Sequence, residues 1–132
     1  MLPQVLVVDD EVGLCLVLKD LLELEGYEVA FCHDIPSACE KLAAGKFDAV
    51  LVDVFLTADP VGIELARHIL SAYPDTSVIL MTGYARKADI DEACLMGAFT
   101  CIDKPFSLDD VVRVVGISLD RGCAAQCADR SG

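Results

Sequence analysis

Val5-Leu6-Val7-Val8-Asp9-Asp10-Glu11 joins four apolar residues, three of them β-branched, directly to three acids. The apolar run shows no polar alternation, so it reads as a strand covered on both faces, the condition of a parallel sheet between layers of helix. Four further runs of the same kind follow: Glu28 to Cys32, Ala49 to Val52, Ser77 to Met81 and Phe99 to Ile102.

The intervening segments carry helical spacing. Leu14, Leu18 and Leu21 lead to a stop near Gly26; Asp34 and Pro36 open a second helix carrying Ala38 and Leu42, which Gly45 closes. Ile63, Ala66 and Leu70 mark a third, and Ile90, Ala93, Cys94 and Gly97 a fourth. Leu108, Val111, Val112 and Val115 mark the last, with Ser107 and Asp110 placed as a capping pair. Five strands alternating with five helices predict right-handed crossovers and a doubly wound α/β fold, a five-stranded parallel sheet with strand order 2-1-3-4-5. One domain is expected over residues 1–119. Residues 120–132 lose the periodicity and read as a polar tail or linker stub, in which Cys123 and Cys127, lacking a nearby His or third Cys, make a poor metal site.

The 132 residues, 55% of them hydrophobic, suffice for a core without disulfides or structural metal and exclude a disordered chain. A net charge of −12 opposes direct contact with nucleic acid, whose phosphates recruit Lys and Arg. Met1-Leu2-Pro3-Gln4 has no basic residue, and the apolar run after it breaks at Asp9, so neither a targeting signal nor a membrane span is expected. Seven cysteines at scattered, mostly apolar positions fit reduced thiols and a cytoplasmic location.

In doubly wound sheets ligands gather beyond the carboxyl ends of the strands. There this sequence places Asp9 and Asp10 after the first strand, Asp53 after the third, Thr82 after the fourth, and Lys104 with Pro105 after the fifth. An Asp after a strand is commonly a turn former or cap, so each group alone signifies little; it is the compatible set at four strand ends that points to chemistry. Clustered carboxylates repel one another unless a cation neutralises them, and an all-oxygen donor set with few acids suits Mg²⁺. Asp53, central in the sheet, is the candidate nucleophile toward phosphorus, with Thr82 and Lys104 to hold phosphoryl oxygens. His33 and His68 lie away from any nucleophile, Arg86 and Lys87 read as a solvated face, and Asp59 before Pro60 reads as a turn former; none is assigned a role.

Over residues 4–119 the chain resembles the response-regulator receiver domain (CheY-like) of two-component signal transduction. Val5 to Glu11 resembles the family's first strand and acidic pair, Leu51-Val52-Asp53-Val54-Phe55-Leu56 its phosphoacceptor strand, Met81-Thr82-Gly83-Tyr84 its fourth, and Gly97 to Phe106 its fifth. The resemblance implies that Asp53 accepts a phosphoryl group from a phosphohistidine on a sensor histidine kinase or phosphotransfer protein. It also implies direct Mg²⁺ ligation by Asp10, ligation by Asp9 largely through water, and further ligands in Asp53 itself and the Phe55 backbone carbonyl. Thr82 and Lys104 would bind phosphoryl oxygens, and the Lys104–Pro105 bond would be cis. The chain would be a switch acting on a downstream output domain or protein, with no enzymatic activity beyond its own phosphorylation and dephosphorylation.

Two departures from the family pattern stand out. Cys101 occupies the switch position where an aromatic residue is usual. Leu56-Thr57-Ala58-Asp59-Pro60-Val61-Gly62 lacks the usual proline after its apolar residue and is one residue longer before the glycine. At two positions where family members vary and side chains border the path of hydrolytic water, Phe55 and Tyr84 are both aromatic, which predicts a shielded, longer-lived acyl phosphate. A phosphatase with an aspartate nucleophile would need a second carboxylate where Phe55 stands, and Asp9-Asp10-Glu11 would repel a flavin phosphate. A receiver-like scaffold that works without phosphorylation is the other alternative.

Overall fold

The computed structural model describes residues 2–56, 61–83, 97 and 100–124, apart from the side chains of Thr100 and residues 121–124. Its strands are β1 (Gln4–Val8), β2 (Glu28–Cys32), β3 (Ala49–Asp53), β4 (Ser77–Thr82) and β5 (Thr100–Asp103). Its helices are α1 (Val12–Leu24), α2 (Ile35–Ala44), α3 (Val61–Ala72) and α4 (Leu108–Ala124). The strands form one parallel sheet in the order β2-β1-β3-β4-β5, as the sequence predicted.

Residues alternate across a strand, and here both faces are packed, which explains the unbroken apolar runs. Leu6, Val8, Val50, Val52, Val78 and Leu80 meet Ala38 and Leu42 of α2 and Ile63, Ala66 and Ile69 of α3. Val5, Val7, Ala49, Leu51, Ile79 and Met81 meet Cys15, Leu18 and Leu22 of α1 and Val111 and Val115 of α4. Each fully buried Val or Leu contributes about 1.5–3 kcal/mol, so the sheet is the anchored part of the molecule and its ends are held accordingly.

Helix ends follow their local chemistry. The Asp34 carboxylate accepts the Ser37 amide at 2.8 Å, Pro36 sits in the first turn and Gly45 closes α2. Ser107 Oγ accepts the Asp110 amide at 3.1 Å, but the Asp110 carboxylate turns to Arg113 at 3.2 Å, so only one half of the expected capping pair forms. The phase of α1 differs slightly from expectation: Cys15, Leu18 and Leu22 are buried while Leu14 and Leu21 flank them half-buried. Helix α4 continues to Ala124, five residues beyond the expected boundary at 119, and β5 begins at Thr100. The helix expected around Ile90 to Cys94, Phe99, and the tail from residue 125 lie outside the described residues.

Candidate phosphoacceptor site

The carboxyl end of the sheet collects charge because β1 and β3 stop side by side, with Val8 paired to Val52. The next residues outward are Asp9 and Asp53, exposed by 0% and 5%. Asp10, in the exposed turn into α1, completes a group of three carboxylates whose oxygens lie within 4.8 Å of one another.

The Lys104 ammonium faces this group. Lys104 follows β5, is joined to Pro105 by a cis peptide bond, and donates its backbone N–H to Thr82 O at 2.7 Å. Its Nζ lies 2.8 Å from Asp9 Oδ2 and 3.4 Å from Asp53 Oδ2. The second oxygens of Asp9 and Asp53 are held by backbone: Glu11 N donates to Asp9 Oδ1 at 2.9 Å and Phe55 N to Asp53 Oδ1 at 3.1 Å. Burial, reinforced by the charge of Asp9, pushes the Asp53 carboxyl up to about 6, against the opposing pull of Lys104. Burial alone would lower Lys104, but the two carboxylates overcome it and hold the ammonium above its ordinary value.

Local backbone fixes Asp53 tightly. Val54 N donates to Met81 O and Gly62 N to Val54 O, both at 2.9 Å. A Cβ at position 62 would stand 2.1 Å from Asp53 O and 2.8 Å from Val54 Cα, so only glycine permits α3 to begin against the end of β3.

Thus Asp9, Asp10, Asp53 and Lys104 are brought together, with Thr82 at the end of β4 and Phe55 just beyond β3 beside them. Thr82 is buried at the end of β4, level with Asp103, and Phe55 is half-buried with its amide on the Asp53 carboxylate. Cys101 is half-buried on β5 opposite Leu80 and packs toward the α2–α3 side of the sheet. Tyr84, Arg86, Lys87 and Asp59 lie outside the described residues. His68, exposed on α3, meets only the edge of Tyr73 among ring contacts of the described residues.

Two contributions escaped the sequence reading. His33, assigned no role, has Nδ1 3.0 Å from the backbone carbonyl of Asp9, and Cys15 Sγ donates to the same oxygen at 3.3 Å. Burial, then the nearby Asp9 charge, pushes the Cys15 thiol up to about 12, which keeps it an S–H donor. The signal was available only through strand order: His33 follows β2, and β2 pairs with β1. Gly62 was the other, legible only once α3 and β3 are in contact.

The chain matches the model of the response regulator receiver domain over residues 5–116. It is 36% identical over 105 residues to the transcriptional regulatory protein ZraR of Klebsiella oxytoca, covering 80% of this chain and 24% of that protein. It is 30% identical over 115 residues to the DNA-binding transcriptional regulator NtrC of Rhizobium meliloti, covering 87% of this chain and again 24% of the relative. The chain thus spans about a quarter of the length of these curated relatives. Among solved structures, a receiver domain protein from Methanospirillum hungatei superposes with a TM-score of 0.87 at 27% identity, covering 100% of both chains. A response regulator from Thermotoga maritima superposes with a TM-score of 0.82 at 32% identity, covering 91% of this chain and 99% of that one. With a parallel sheet in the order 2-1-3-4-5 and a match across nearly its whole length, the chain belongs to the response regulator receiver domain family of two-component signalling.

Proposed function

We propose that this receiver domain accepts a phosphoryl group on Asp53 and thereby switches its contacts with an output domain or protein. The observation that carries this is the buried Asp53 carboxylate, tethered by the Phe55 amide and facing both Lys104 and the Asp9–Asp10 acids. With a value of about 6, Asp53 is ionised at neutral pH and available as a nucleophile. Asp53 attacks phosphorus of a phosphohistidine on a sensor kinase or phosphotransfer protein. An O–P bond forms, the N–P bond breaks, and the departing imidazole nitrogen keeps the electron pair and takes a proton. Lys104 and Thr82 bind the transferred oxygens, and Thr82 moves toward them in the switch.

The donor set fits Mg²⁺: three carboxylates within 4.8 Å, all hard oxygen ligands, with the Lys104 ammonium on Asp9 and Asp53. Asp10 and Asp53 would hold the ion directly, with the Phe55 carbonyl, and Asp9 largely through water. Bound there, Mg²⁺ supplies charge neutralisation of the phosphoryl oxygens. Phe55 and Tyr84 limit water access to the acyl phosphate and lengthen its life, while Cys101 leaves the switch without a large ring at that position.

A protein donor has a surface to meet beside the lysine, where Glu11, Leu14, Lys104, Pro105 and Phe106 line a cavity of about 340 Å³. The chain works in the cytoplasm, acts on no substrate other than its own phosphoryl group, and reads no nucleic acid itself; no helix among the described residues is long and apolar enough to cross a membrane.

The test is intact-mass spectrometry after incubation with Mg²⁺ and acetyl phosphate, beside Asp53→Asn and a chelator control. One phosphoryl adduct that requires Mg²⁺ and vanishes in the variant is expected. No adduct from acetyl phosphate or from a phosphohistidine donor, with Mg²⁺ binding intact, would instead support a scaffold that works unphosphorylated.

A further inference from the structure

In a parallel ladder the N–H and C=O of one residue point to the same neighbour, and Asp9 N donates to Cys32 O on β2 at 3.1 Å. The Asp9 carbonyl therefore also faces β2. But β2 ends at Cys32, and the chain turns away into α2 under the Asp34 cap, so the ladder offers no further donor there. A buried carbonyl without a donor is costly, and two side chains from different elements supply the need. His33 Nδ1 stands 3.0 Å away and Cys15 Sγ 3.3 Å away, with 3.8 Å between them. Since the carbonyl only accepts, Nδ1 carries the proton.

We infer that His33, assisted by Cys15, is a positioning residue for the metal site: by bonding the Asp9 carbonyl it fixes the peptide that aims the Asp9 and Asp10 carboxylates toward Asp53. This rests on the Mg²⁺ reading above. Without these donors the carbonyl rotates toward water, and the turn carrying Asp10 leaves the cluster. Ligand-supporting hydrogen bonds of this kind are worth about 10-fold or more in metal affinity.

Two variants separate the hydrogen bond from the packing of the ring, which tilts against Phe31 at 5.4 Å between centroids. His33→Phe keeps a ring and loses the donor; His33→Asn loses the ring and keeps a donor near the Nδ1 position. Mg²⁺ affinity is read by calorimetric titration, and the Mg²⁺ concentration for half-maximal phosphorylation by acetyl phosphate is read beside it. Expected is about 10-fold weaker Mg²⁺ binding in His33→Phe, parent-like binding in His33→Asn, and an unchanged phosphorylation rate at saturating Mg²⁺ in both. Should His33→Phe lose its fold by circular dichroism, Cys15→Ala is expected to weaken Mg²⁺ in the same direction. Parent-like affinity in the donor-less variants, or equal weakening in His33→Asn and His33→Phe, overturns the inference while the metal reading stands. Absence of Mg²⁺ binding in the parent overturns both.

Discussion

Removing the charge of the proposed phosphoacceptor should stabilise the metal-free protein. Asp53 is 5% exposed, and burial together with Asp9 raises its carboxyl from 3.8 to about 6 even though Lys104 pulls the other way. The sign follows from proton binding: between those values the folded state holds a proton that the unfolded state has released. The stability associated with Asp53 is therefore complete below about pH 4 and lost as pH rises through about 6. The full interval is worth about 3 kcal/mol. In Asp53→Asn the amide oxygen can still accept from Phe55 N, but the amide nitrogen faces the Lys104 ammonium, donor against donor, which costs about 1 kcal/mol. A net gain of about 1–2 kcal/mol remains at pH 7.5, or roughly 4–7 °C in Tm for a chain of this size.

The assay is urea or thermal unfolding of parent and variant in chelator, at pH 7.5 and again near pH 4. The variant should be the more stable at pH 7.5, and its advantage should disappear near pH 4, where the folded carboxyl is protonated and the unfolded one has regained much of its proton. Mg²⁺ at pH 7.5 should narrow the gap by stabilising the parent more. A variant no more stable than the parent at pH 7.5, or an advantage that persists near pH 4, would refute the electrostatic account of this carboxylate.

Gly62→Ala would drive a Cβ to 2.1 Å from Asp53 O; a loss of about 3 kcal/mol in urea unfolding and a slower phosphoryl adduct by mass spectrometry are expected. Lys104→Gln removes the ammonium that occupies Asp9 at 2.8 Å, so calorimetry should show tighter Mg²⁺ binding, with the metal-free protein less stable by about 3 kcal/mol. Phe55→Asn with Tyr84→Glu opens the water path, and the acyl phosphate, followed by loss of the mass adduct after donor removal, should decay several-fold faster.

The sheet was legible because its strands are covered on both faces, so each one is an uninterrupted apolar run whose end can be located to within a residue. From those ends, the rule for doubly wound folds identifies the edge at which Asp9, Asp53, Thr82 and Lys104 gather. Helix phase was less sharp: Leu14, Leu18 and Leu21 fit the spacing, but Cys15, apolar only once its thiol is buried, shares the packed stripe with Leu18 and Leu22. The extension of α4 through Asp120 to Ala124 was missed because the segment lacks an apolar stripe, whereas helical backbone bonding needs none to continue. His33 and Gly62 were illegible for a different reason. Each matters through an atom of a distant backbone, the Asp9 carbonyl or the Asp53 carbonyl, and no pattern along the chain encodes that proximity.

Lys104 is closer to Asp9 than to Asp53, and this asymmetry bears on how the switch is set. Three carboxylates gathered beside the Lys104 ammonium make a cluster suited to a divalent cation. Lys104 thus holds Asp9, one of the groups a cation would claim on the proposed reading. On the proposed reading, a cation that neutralises those carboxylates would leave the ammonium less reason to stay on Asp9 and release it toward Asp53, where phosphorylation would add oxygens and charge. Because the Lys104 backbone is tied to Thr82 O at 2.7 Å, a lysine that re-aims in the proposed switch would pull on the end of β4, where Thr82 stands. On that reading metal binding and switching would share one residue, and a variant that frees Lys104 from Asp9 alone should favour the active form before any phosphoryl group arrives.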